Sequence, residues 1–165
     1  MRESEKVVAR FWAKVDKSGE CWLWTASTSP QGYGQFRHNG TMVGAHRLAY
    51  KWAYGPISEG IKIDHTCHTI ACVKPTHLRP TTNKQNAENR GALNRNNTSG
   101  YRGVSWAKRD NAWVAKIKHN QVIYNLGYFE TAAAASQAVV QKRNELFTHN
   151  DKDRVEGLDA LVNEC

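Results

Sequence analysis

Apolar residues recur at helical spacing over residues 3–15, where Val7, Val8, Phe11, Trp12 and Val15 form one stripe among lysines and glutamates. The pattern predicts an amphipathic helix packed on a core. A polar turn at 16–20 leads into the apolar run Cys21-Trp22-Leu23-Trp24, read as a strand. Residues 33–45 read as a hairpin turning at His38-Asn39-Gly40, because Asn-Gly accepts the positive φ of a type I′ turn. Residues 44–54 then read as a helix, ended by Gly55-Pro56. A strand-like run finishes at Asp64-His65, and a short return strand falls near 78–80. Thr82-x-x-Gln85 has the capping-box form that opens a helix. Residues 91–100 are polar, rich in Gly and Asn and without periodicity, which marks a linker. Three alternating segments follow at 101–106, 112–118 and 122–126, then an Ala-rich helix from about 132 to 147 with Thr131 as N-cap. The expected class is α+β in two modules.

A chain of 165 residues with a formal charge of +8 and a pI near 9.5 points to a polyanionic partner. Nucleic acid is the first candidate and a membrane surface the weaker one. No apolar run approaches the roughly 20 residues of a spanning helix. The opening Met1-Arg2-Glu3-Ser4-Glu5 has no signal-peptide core, so a soluble, intracellular, cytoplasmic protein is expected. From 150 to 165 the charge reverses, with Asp151, Asp153, Glu156, Asp159 and Glu164 against Lys152 and Arg154. That tail is expected to avoid DNA, as a short helix on the core, a dimer contact or a disordered end.

Cysteine spacing adds chemistry. Cys67, Cys72 and His77 follow C-x4-C-x4-H, which gathers two thiolates and an imidazole on one loop, as a tetrahedral zinc site needs. A reducing compartment favours metal binding over disulfides. A closed site takes a fourth ligand. Cys21 is the leading candidate, with a buried free thiol as the alternative reading, and His46, His68 and Cys165 are poorer choices.

Asp64-His65, Cys67, Cys72, Pro75-x-His77-Leu78 and Asn86 together resemble the ββα-metal finger of HNH endonucleases, especially the His-Cys box branch and the phage homing enzymes. The resemblance implies that His65 is the general base, and that Asp64 and the Asn86 carbonyl oxygen hold a catalytic Mg2+ or similar ion. It also implies a structural Zn2+ on Cys21, Cys67, Cys72 and His77. His46-Arg47-Leu48 before an aromatic helix is similar to the segment preceding the finger in phage members. On that likeness Arg47 contacts phosphate near the cut, the alternative being an ordinary surface charge. The sequence departs from the family at Lys74, where an Asn is common, and at His77, where the middle residue of the HNH name falls.

Tyr101-Arg102-Gly103-Val104, the Trp113-x-Ala115-x-Ile117 strand and Leu126-Gly127-x-Phe129-x-Thr131 before an Ala-rich helix resemble the ethylene-response-factor type DNA-binding domain. Versions of that domain accompany HNH homing endonucleases. Alternation places Arg102, Trp106, Lys108, Lys116 and Lys118 on one expected solvent face. The resemblance gives DNA contact to Arg102 and Trp106, and further to Trp113, Lys116, Lys118 and Tyr124. Ser105 and Tyr124 stand where the plant proteins carry Arg and Trp, so their sequence preference does not transfer.

The resulting expectation is an HNH nuclease domain at 1–92, a linker at 93–100, a DNA-binding domain at 101–149 and an acidic tail at 150–165. It is a metal-dependent endonuclease of the homing type acting on double-stranded DNA, as monomer or homodimer. The alternative is a non-catalytic, zinc-containing DNA-binding regulator.

Overall fold

The computed structural model describes residues 4–154. It divides into two compact units, the first ending at Asn86 and the second beginning at Ala87. No described helix is long and apolar enough to cross a membrane.

In the first unit α1 (Glu5–Trp12) lays Phe11 into the core, and Phe11 is fully buried. Its ring meets those of Trp12, Trp24, Phe36 and Trp52 at centroid distances of 4.9–5.2 Å. Such edge and tilted pairs add to simple area burial. The short strands β1 (Val15–Asp16) and β2 (Leu23–Trp24) pair antiparallel. The hairpin β3 (Gln35–His38) and β4 (Thr41–Gly44) turns at Asn39 and Gly40, both at positive φ (48° and 81°). Helix α2 (Ala45–Tyr54) buries Ala45, Leu48 and Ala49 and stops at Gly55, whose φ is 100°. Strand β5 (Lys62–His65) pairs with β6 (Leu78–Thr81), and a single 3-10 turn, Pro75–His77, precedes β6. The capping box then closes as its sequence predicts: Gln85 N–H donates to the Thr82 hydroxyl and Thr82 N–H to the Gln85 side-chain Oε1. It opens α3 (Asn83–Glu88).

The loop between β5 and β6 is tied to β2. Trp24 N–H donates to Ala71 O at 2.9 Å and Val73 N–H to Trp22 O at 2.8 Å, an antiparallel bridge that sets Leu23 opposite Cys72. This pairing brings Cys21, far away in sequence, to the loop cysteines.

The second unit is a meander, β7 (Val104–Ala107), β8 (Ala112–His119) and β9 (Val122–Phe129), with α4 (Ala132–Leu146) on one face. Val104, Ala115, Ile117, Ala135, Val139 and Phe147 form its core. Thr131 caps α4, its hydroxyl accepting from Ala134 N–H at 3.1 Å. Of the acidic tail, Asp153 is buried and pairs with Arg143 at 3.1 Å, and Asn150 donates to Asn144 at 2.8 Å. Residues 155–165, with Cys165, lie outside the described residues.

Candidate metal centre and active site

One atom each from Cys21, Cys67, Cys72 and His77 falls in a cluster no wider than 4.8 Å. His77 Nδ1 lies 3.6 Å from Cys21 Sγ and 3.7 Å from Cys72 Sγ. Zinc bonds of about 2.3 Å to sulfur and 2.0–2.1 Å to nitrogen give a tetrahedron whose S···N edge is about 3.6 Å. The distances therefore suit ligands around one ion better than hydrogen bonds among themselves. Burial pushes the Cys72 thiol up to about 12, with the neighbouring Cys67 and Cys21 sulfurs adding to the effect. Such a sulfur becomes a thiolate at neutral pH only beside a cation. The donor set fits zinc.

His65 ends β5 almost fully buried. Its Nε2 lies 3.0 Å from the carbonyl oxygen of Cys72, on the same loop that supplies the cluster. A carbonyl only accepts, so in the neutral ring Nε2 carries the hydrogen and Nδ1 the lone pair. Burial lowers the His65 pKa, while the bond to Cys72 and the Asp64 charge pull it back up. Its ring faces His46 at 5.0 Å and Tyr33 at 6.1 Å.

Asp64 lies opposite Arg79 in the β5–β6 register, and Arg79 Nη2 and Nε donate to its Oδ2 at 3.1 and 3.3 Å. Arg47 donates to Ile61 O at 3.2 Å and lines an open cleft of about 510 Å³ with His38, Met42 and Lys51. Asn86 stands exposed on α3. Its carboxamide takes part in none of these contacts. The structure thus gathers His65, Cys72, His46 and Tyr33, and separately Asp64 with Arg79. By sequence His46 is only a poor zinc candidate, and its place beside His65 depends on how α2 meets β5.

In the second unit the register corrects the expected solvent face. Trp106 pairs with Trp113, and their rings lie 5.1 Å apart. Trp113 has the parity of Ala115 and Ile117, which face the helix. Trp106 therefore does not share a face with Lys116 and Lys118. Tyr124 pairs with Ile117 and packs on the core. Arg102 precedes β7 in a turn, donates to Arg90 O and is partly buried, and Lys108 follows β7 in an exposed turn. The face opposite α4 carries Ser105, Lys116, Lys118, Ile123, Asn125 and Tyr128. Ile123 and Tyr128 are both 61% exposed there.

Residues 43–88 match the model of the HNH endonuclease family, and so contain an HNH endonuclease domain. The chain is also similar to Protein 7.7 of Escherichia phage T7, 38% identical over 69 residues. That stretch is 42% of this chain and 53% of the phage protein, so the similarity spans about half the relative's length. No solved structure matches the chain.

Proposed function

We propose that the chain is a metal-dependent DNA endonuclease of the homing type, with His65 as general base. One observation carries this reading: inside the segment that matches the HNH family, a buried His65 is fixed through Nε2–H to the Cys72 carbonyl, next to Asp64. The bond leaves the Nδ1 lone pair as the basic site. In the proposed reaction Nδ1 takes a proton from a water molecule. The water oxygen forms a bond to phosphorus, the bond from phosphorus to the 3′ oxygen breaks, and that oxygen leaves and takes a proton from solvent. The products are a 5′-phosphate and a 3′-hydroxyl.

Asp64 and Asn86 offer oxygen donors, the chemistry that suits a hard divalent ion such as Mg2+. When bound, such an ion supplies charge neutralisation at the phosphoryl and leaving oxygens. Asp64 shares its carboxylate with Arg79, so metal binding competes with that ion pair. Arg47 is assigned to the phosphate backbone. The Cys3His cluster is assigned a structural zinc: four protein ligands leave no open position for substrate, and the ion fixes the loop that holds His65. The sheet face of the second unit, with Lys116 and Lys118, is assigned to double-stranded DNA, with Arg102 and Lys108 in the turns before and after β7 beside it and Trp106 reaching DNA from the exposed edge strand instead.

A zinc-containing DNA-binding regulator is the second reading. The Asp64–Arg79 ion pair favours it, since it neutralises the carboxylate a catalytic metal would use. Supercoiled plasmids carrying a library of targets, incubated with the parent and with His65→Ala, with Mg2+ or a chelator, separate the two. The nuclease reading expects nicked or linear DNA from the parent with Mg2+ alone, and none from His65→Ala at unchanged zinc content. Equal cutting by both proteins removes His65 from the mechanism. Binding of the library without any cutting moves the reading to the regulator.

A further inference from the structure

His46 lies in the first turn of α2, outside the metal cluster, and carries an unusual set of constraints. Its Nδ1 is closed off from solvent and has no hydrogen-bond partner among the described residues. A buried polar atom without a partner is costly, and a native fold that keeps one calls for an explanation. The ring is packed on two sides, against His65 at 5.0 Å and Tyr33 at 5.2 Å.

The residue before the helix points the same way. Gly44 has φ −64° and ψ 125°, a conformation open to any L-residue. No turn demands a glycine there. A Cβ at Gly44 would fall 3.1 Å from His46 Cε1 and 3.4 Å from Nδ1. The approach to Cε1 is tighter than ordinary van der Waals contact, so a methyl here would push the His46 ring by a few tenths of an ångström, and the hydrogen at this position leaves room for it.

We infer that His46 is a positioning residue for His65, its ring forming a fixed wall that holds the base in the orientation set by the Cys72 carbonyl. The inference rests on the reading of His65 as general base. One hydrogen bond along an edge of an imidazole leaves rotation about that bond open. A second ring tilted against it at 5.0 Å restricts that freedom, and the correct presentation of a base is worth much of its efficiency. Charge also favours this role. Burial lowers the His46 pKa to about 3, with the His65 and Arg47 charges acting in the same direction. The wall is therefore neutral when His65 takes up its proton, and the His46 ring itself adds no charge against the imidazolium.

The experiment compares His46→Ala, Gly44→Ala and the double variant. It reads single-turnover cleavage, DNA affinity, zinc content and the 15N–1H signal of the His65 Nε2–H. We expect His46→Ala to cut about 10- to 100-fold more slowly, the scale of a misplaced catalytic group, with DNA affinity and zinc content unchanged. Gly44→Ala, which presses on the ring, is expected to lose roughly 5-fold in the parent and nothing further in the His46→Ala background, since coupled sites are non-additive. The His65 Nε2–H should lose protection from solvent exchange in each variant. Equal losses from Gly44→Ala in both backgrounds would overturn the proposal. So would an unchanged His65 signal in His46→Ala, which would mean that His46 acts on the DNA itself. The ring signal is read without DNA, so it decides the positioning even if the parent cuts nothing. Should His46→Ala fail to fold, the signal in Gly44→Ala decides alone.

Discussion

Replacing Cys21 by serine removes one corner of the Cys3His cluster and leaves the other three on their loop. In the folded chain Cys21 and His77 are 3.6 Å apart although 56 positions separate them. An ion bridging the two closes that span in the manner of a cross-link. Chain-entropy arithmetic for a loop of this length gives about 4 kcal/mol as an upper bound for what the bridge contributes. For a unit of under 100 residues each kcal/mol shifts the midpoint by about 4–8 °C. Cys21→Ser should therefore melt below the parent by up to roughly 15–30 °C and bind zinc more weakly. Chelator should destabilise the parent by a comparable amount and the variant far less. Calorimetry with zinc quantification on both proteins, and on Cys165→Ser as an unaffected control, gives the answer. A Cys21→Ser protein that keeps one zinc and the parental midpoint would refute the four-ligand assignment and make Cys21 an ordinary half-buried thiol.

The acid limb of stability should report His46. Its imidazole titrates near 6.5 in the unfolded chain and about 3 in the folded one, so between these values the unfolded state binds the extra proton. Stability is full above pH 6.5 and falls as pH drops, on the order of 2 kcal/mol lost by pH 5. Urea melts at pH 7 and pH 5 should show this loss in the parent and a smaller one in His46→Ala, and equal losses would contradict it. On the sheet of the second unit, Lys116→Ala with Lys118→Ala should lower DNA affinity and flatten the salt dependence of log K by about 2. An unchanged slope would clear that face of DNA contact. Trp113→Ala should instead cost folding stability, though less than the roughly 3–5 kcal/mol of a fully buried Trp, because its partly buried ring packs on the core, and a parental melt would disprove that placement.

Much of this could be read from residue patterns, wherever the physics is local. Asn39-Gly40 turns the hairpin, Thr82 and Gln85 cap α3, and Thr131 caps α4, because each device works within four residues of chain. The spacing of Cys67, Cys72 and His77 likewise constrains one loop, and Cys21 joined it through the need for a fourth ligand. What stayed hidden depends on pairing at a distance. Alternation shows that β7, β8 and β9 have two faces, yet only the register of Trp106 on Trp113 tells which side chains share one. In β9 a bulge skips Leu126, so that Gly127 pairs with Ala115 and Asn125 with Lys116. No periodicity in the sequence announces that step. The His46–His65 contact was out of reach for the same reason, since it joins the start of α2 to the end of β5.

The partner that orients His65 is a main-chain oxygen, which every amino acid possesses. Substitutions at His68, Thr69, Ile70 or Ala71 cannot delete it. A single inserted or deleted residue between Cys67 and Cys72 would move that oxygen and the sulfur together. The number of residues between the two cysteines is therefore a sharper sign that this contact is kept than the identity of the residues themselves.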